Sequence, residues 1–386
     1  MKVNQWTLGL AAAGVVSFGS VMQAEEGKQS PVMSALSPTV LSGYVNTSAI
    51  WNLGTGRTVV GRPFTTPEKQ DGFNLDVVKV ALEKPLSEDQ WAAGYKVELL
   101  FGRDAQLYGT SFDTFGDNDF AGIKQAYVAL RAPVGNGIDF KVGVFDAIIG
   151  YEGFDAGSNP NYSRNFAYNI QPFAHTGILA SYRVSDVISI SAGVANTYQQ
   201  AINGKDPVES IKSYMGQIAI TAPQDAGFLK GSTLYLGVID GGSSADVSDT
   251  VNVYAGGTLA TPVAGLSLGA AFDYRFGGAS VDFGPVADPW AYAVSLYASF
   301  QATEKLKLNG RLEYVNGSDG SFYNAGQQIK LGGATLTADY ALWANVISRV
   351  EFRWDHSLNG DRPFKTDVGS GHKNSYTLAL NLIYNF

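Results

Sequence analysis

The 386-residue chain contains no cysteine, so it can build neither a disulfide framework nor a thiolate metal site. Charge is scarce: 16% of residues are Asp, Glu, Lys or Arg, against roughly 25% in an ordinary soluble domain. Long apolar runs are missing too, and a helix needs about 20 consecutive apolar residues to cross a bilayer. Acids outnumber bases by 35 to 27, for a net charge of −8, the wrong sign for a nucleic-acid surface. Only His175, His356 and His372 represent histidine. None stands in a His-Glu-x-x-His or nucleophile-elbow context, so no catalytic residue, metal ligand or cofactor is expected.

What the chain does have is glycine, 45 residues, and aromatic side chains, 12%, arranged in one repeated design. From Val40 onward, segments of roughly ten residues alternate apolar and polar positions and are broken by turn residues, the signature of strands rather than helices. At the C-terminus Tyr376, Leu378, Leu380, Leu382, Tyr384 and Phe386 alternate with Ser375, Thr377, Ala379, Asn381 and Asn385. Two further segments carry charge on their second face: Lys305, Lys307, Arg311 and Glu313, then Arg349, Glu351, Arg353 and Asp355. A charged ladder backing an apolar one requires water on one side only.

About sixteen such segments occur between residues 40 and 386, within the range of outer-membrane barrels. Those near residues 73 and 231 alternate most weakly, and the fourteenth is expected over 334–343. Long Gly/Asp/Asn/Ser-rich loops follow the odd segments, as in 54–72, 104–120, 150–172 and 356–373, while tight turns such as Ser185-Asp186 follow the even ones. The expected fold is therefore all-β: a transmembrane antiparallel β-barrel with short periplasmic turns and long extracellular loops. Residues 1–24 read as a cleaved signal peptide, with Lys2 before an apolar stretch from Leu8 to Phe18; 25–39 form a periplasmic segment and 40–386 the barrel. Acidic loop clusters at Asp113–Asp119 and Asp240–Asp249 lack EF-hand spacing and read as solvated surface.

About 16 strands leave an aqueous channel rather than a filled core, so the expected activity is passive diffusion of small hydrophilic solutes or ions. The alternatives are a channel selective for sugars or organic anions, a plugged structural or adhesive barrel, and an outer-membrane hydrolase. Parity puts Lys96, Arg131, Lys141, Arg183, Arg275, Lys305, Lys307, Arg311, Arg349 and Arg353 inside, slightly more bases than acids, which points to a weak anion preference although the loops are acidic.

Several stretches resemble the β-barrel porin-2 (OmpL-like) family of Gram-negative outer-membrane proteins: Gly150-Tyr151-Glu152, Asn159-Pro160-Asn161-Tyr162-Ser163-Arg164, Gln171 to Gly177, Gln125-Ala126-Tyr127-Val128, and Arg349 to Asp355. The resemblance implies a porin-like barrel in outer-membrane lipid but carries over no substrate. The closing Tyr384-Asn385-Phe386 looks like the aromatic signal read by the barrel assembly machinery. Likeness to sixteen-stranded porins further implies a homotrimer, and a loop 150–172 that folds inward to narrow the pore. Its Glu152, Asp155, Asn159, Asn161 and Arg164 would then oppose Lys141, Arg183, Arg311 and Arg353 across a constriction. A second reading of the same loop is a structural knot of Pro160, Asn161, Tyr162 and Arg164 that pins it to the wall. The Arg349, Glu351, Arg353 and Asp355 ladder likewise reads either as an ion-preference element or as a stiffening salt-bridge network.

Overall fold

The computed structural model describes residues 38–54, 62–108, 110, 121–199, 202–205, 211–242, 249–277, 289–318, 328–364 and 371–386. The expected signal peptide and the Asp113–Asp119 cluster lie outside these residues. Sixteen strands form the chain's framework: β1 (Val40–Asn52), β2 (Gly72–Lys84), β3 (Ala93–Phe101), β4 (Ala121–Ala132), β5 (Ile138–Asp146), β6 (Ala174–Arg183), β7 (Ile188–Ala195) and β8 (Ser213–Thr221) in the first half. β9 (Thr233–Gly242), β10 (Asp249–Ala260), β11 (Leu266–Gly277), β12 (Trp290–Gln301), β13 (Leu306–Gly317), β14 (Ile329–Trp343), β15 (Val346–Ser357) and β16 (Asn374–Asn385) complete it.

Each strand pairs antiparallel with its sequence neighbours, and β16 returns to β1 to close the barrel. Closure satisfies every ladder, which hydrocarbon demands because it offers backbone groups no alternative partner. β14 begins five residues before the expected 334, since Lys330, Gly332 and Gly333 still pair across to β13 although they break the apolar alternation. The two faces sort by chemistry. Leu268, Leu296, Leu312, Leu336, Phe352 and Leu380 are exposed on the outside, where lipid lies, whereas Asp273, Ser295, Arg311, Thr335, Glu351 and Ala379 are buried on the inside. Three register shifts interrupt this parity, at Asn46/Thr47, Glu98/Leu99 and Ala341/Trp343. A bulge opposes two residues to one, and beside the second shift Lys124 and Gln125, adjacent in sequence, are both buried.

Beyond the long-loop rim the chain turns back into the barrel. A short helix, α1 (Arg103–Tyr108), buries Asp104, Ala105 and Tyr108. The β5–β6 connection crosses the lumen, and with the end of the β1–β2 connection these segments share an aromatic core. There Phe64 meets Phe154 at 5.2 Å and Tyr168 at 5.6 Å, and Tyr108 meets Phe154 at 5.1 Å and Phe173 at 5.7 Å.

Candidate functional site

Near its start, four residues past β5, the β5–β6 connection carries Gly150, whose φ of +115° is open to glycine and strained for other residues. Beyond it the loop organises itself. Asn165 caps a 3-10 turn over Phe166–Asn169, its side chain accepting the Tyr168 amide at 2.9 Å. Arg164 spends its fork on the loop's own carbonyls: those of Gly153 at 2.8 Å, Tyr162 at 2.7 Å and Phe154. Asn159 closes the preceding turn, donating to Gly153 at 2.7 Å and accepting the Gly153 amide at 2.9 Å.

The loop is bound to the inner wall along most of the barrel's circumference. Toward β12–β15, Arg311 meets Glu152 at 2.8 Å and donates to the Ser163 carbonyl at 2.6 Å. Glu351 accepts the amides of Tyr162 at 2.7 Å and Ser163 at 3.1 Å, and Asn161 donates to Thr337 at 2.7 Å. Arg349 donates to the carbonyls of Ala156 at 2.5 Å and Asn159 at 2.8 Å, while Asn165 donates to the Tyr297 hydroxyl at 2.8 Å. Toward β1 and β2, Asp155 meets Lys79 at 2.8 Å and accepts from Tyr44 at 3.0 Å, and Tyr162 donates to Ser48 at 3.0 Å. Burial opposes a charge on Asp155, yet Lys79 and Lys124 hold its carboxyl below the usual range. Toward β10 and β11, Asn252 donates to the Ile170 carbonyl at 2.9 Å and Gln171 to Asp273 at 2.7 Å. Toward β8 and β9, Gln217 donates to the Ile148 carbonyl, and Ile148 and Ile149 pack with Leu179, Met215, Tyr235 and Ile239.

Glu152, Asp155, Asn159, Asn161, Arg164, Arg311, Arg349 and Glu351 are thus gathered into one network by these contacts. Arg353 and Asp355 join its edge, 3.1 Å apart. Two expected members lie elsewhere. Lys141 is set toward the short-turn rim, over the Tyr127 ring at 5.0 Å. Arg183 ends β6 exposed on that rim. Nine residue steps from the loop's foot at Ala174 carry it about 30 Å along the strand, out of reach of a facing position. Tyr384 and Phe386 are exposed at the same rim, and the Gly43 and Phe386 backbones exchange hydrogen bonds at 2.9 and 3.0 Å.

The structure also brings in residues that the alternation did not single out. Arg62, from the β1–β2 connection, is buried between Glu313 at 2.7 Å and Asp355 at 2.5 Å, and donates to the Arg164 carbonyl at 2.9 Å. Lys69 binds Asp76 at 2.7 Å and Asp104 of α1. Lys79 and Lys124 share Glu98, and Lys124 also binds Asp146. Arg62 sits next to Pro63 beyond a glycine-bearing loop and looks solvated in sequence. The Lys124 position is hidden by the neighbouring register shift.

Among solved structures, the fold is similar to the outer membrane channel DcaP of Acinetobacter baumannii, at 12% identity and TM-score 0.56 over 90% of this chain and 97% of that one. It is similar to an anion-selective porin from Comamonas acidovorans, at 12% identity and TM-score 0.57 over 90% and 99%. A trimer form of the outer membrane protein OmpT of Vibrio cholerae matches at 13% identity and TM-score 0.56 over 90% and 99%. A search of curated protein sequences found no match. The family described as "Putative beta-barrel porin-2, OmpL-like" matches residues 38–386, the whole barrel with its inward loop, so the chain belongs to that porin family and is an outer-membrane channel.

Proposed function

We propose that the protein passes small hydrophilic solutes by passive diffusion through a lumen narrowed by the β5–β6 loop. The observation that carries this reading is the set of bonds from that loop to inward-facing residues of β1, β2, β8 and β10–β15. A loop held to nine of the sixteen strands sets the cross-section there, whatever the width of the barrel around it. Glu152, Asp155, Asn159, Asn161 and Arg164 supply the constriction, and Arg311, Arg349, Glu351, Arg353 and Asp355 its anchors. The exposed terminal aromatics Tyr384 and Phe386 fit recognition by the barrel assembly machinery. A homotrimer is proposed only by likeness to the trimeric OmpT form. Signal-peptide removal belongs to the same proposal.

Planar-bilayer recording of the refolded mature barrel tests the reading. Discrete, long-lived conductance steps are expected, larger in a Glu351→Gln variant that loosens two loop amides. A folded barrel that stays silent in both forms overturns the channel reading in favour of a plugged one.

A further inference from the structure

Every base that bonds the loop is hidden by doing so. Side-chain exposure is 0% for Arg311, 2% for Arg349 and 8% for Lys79. Among the acids on the same level Glu152 and Glu313 are equally hidden, at 0%, but Asp146 and Asp155, beside Lys124 and Lys79, stay 21% and 26% open. An arginine paired with buried carboxylates presents little net field to a passing ion, whereas a carboxylate open to water presents its own directly.

Among the described residues, a cleft opens at this level between the two limbs of the loop. Asp146, Ala147, Gly150, Tyr151, Gly153 and Phe173 give it an accessible lining, backed by buried Tyr108, Phe154 and Tyr168. Gly153 is exposed, and a side chain added there would meet nothing within 4 Å. Toward β1, β2, β8 and β10–β15 the loop is held against the wall by the ion pairs and hydrogen bonds already described.

We infer that solute crosses through the loop's own cleft, past Asp146 and Gly153, rather than between the loop and the wall arginines, and that the channel therefore favours cations. The inference rests on the channel reading and adds its route and its sign. It reverses the anion preference expected from counting lumenal bases, because burial takes Arg311, Arg349 and Arg353 out of contact with the passage. The accessible Lys141 and Lys307 lie toward the short-turn rim, beyond the narrow level, and half-buried Arg275, toward the long-loop rim, sits over the Tyr198 ring at 5.1 Å.

The absence of cysteine makes the test direct, since Gly153→Cys introduces a single thiol. Its thiolate attacks the sulfenyl sulfur of a methanethiosulfonate, forming a mixed disulfide and expelling methanesulfinate. We expect the wild-type channel to show a cation-selective reversal potential in a tenfold KCl gradient. In the Gly153→Cys channel, a trimethylammonium-bearing reagent should cut conductance at least twofold and move the reversal potential toward anions. A sulfonate-bearing reagent should also narrow the channel but retain cation selectivity. Complete labelling, verified by mass, with conductance unchanged places the route elsewhere and overturns the inference, as does anion selectivity in the wild type. A wild-type barrel that is folded and silent instead removes the channel reading beneath it.

Discussion

Arg311 on the wall and Glu152 in the loop meet at 2.8 Å with neither side chain exposed to solvent. Such a pair gains little net stability over an apolar substitute, but removing one partner strands a buried charge at a cost of roughly 3–5 kcal/mol. Glu152→Gln leaves Arg311 still paired with Glu313 at 2.8 Å, whereas Arg311→Met strands Glu152 without a cation, Glu313 keeping Arg62 at 2.7 Å, and also removes the bond to the Ser163 carbonyl. The methionine variant is expected to show the larger and noisier conductance, with the barrel still closed. Single-channel recording, alongside heat-modifiable migration on gels as the measure of closure, checks the order of the two.

Arg62 ties the first long connection to β13 and β15 and, through the Arg164 carbonyl, to the constricting loop. Its guanidinium is held protonated by Asp355 and Glu313 in spite of burial. A double-mutant cycle between Arg62→Ala and Asp355→Ala should return a coupling energy of about 0.5–3 kcal/mol, the range for groups in one network. Denaturation of the folded barrel in lipid measures it, and strict additivity would show that the contact does not contribute.

The sorting of the two faces predicts a positional asymmetry. Leu336 stands exposed in the middle of β14, while its neighbour Thr337 is buried inside and bonded to Glu351 at 2.9 Å. Leu336→Arg should cost about 2–4 kcal/mol, as a base on the lipid face near the midplane does. Equilibrium unfolding in vesicles reads this loss, and conductance should change little because the residue faces away from the lumen.

Acidity should tighten the α1 contact. Burial, reinforced by the charge of Asp76 and opposed by Lys69, pushes the Asp104 carboxyl up to about 6. A carboxyl raised on folding binds more protons in the folded state between its unfolded and folded values, so stability falls as pH rises through that window. From pH 4 to about 6 the barrel should lose stability at this site, and Asp104→Asn should flatten that part of the profile. Unfolding midpoints of both forms at pH 4.5 and 7 test the sign.

Strand number, strand order and facing were legible because lipid and water impose opposite demands on alternate residues, as at Tyr376 to Phe386. The loop's destination was legible only by resemblance, since nothing local in Gly150 to Pro172 distinguishes an inward loop from an outward one. Arg62 and Lys124 escaped for different reasons. Arg62 acts through partners on β13 and β15, far away in sequence, and Lys124 lies where a register shift resets the parity on which the reading depended. The covering of wall charges was illegible for a third reason: parity says which way a side chain points, but an inward arginine such as Arg311 can be covered by a loop that alternation does not describe.

The seam between β1 and β16 constrains when this molecule can come into being. Tyr44 pairs with Asn385 and Trp51 with Leu378, so the first strand waits with a bare edge until the last one arrives. In hydrocarbon each waiting amide or carbonyl costs several kcal/mol, so strands inserted one at a time would accumulate an unsustainable penalty. The chain must instead be kept out of the bilayer, or its edge must be lent a temporary partner, until its final strand is available. The inward loop shares that schedule, because its bonds to β13–β15 can form only after the second half of the wall exists.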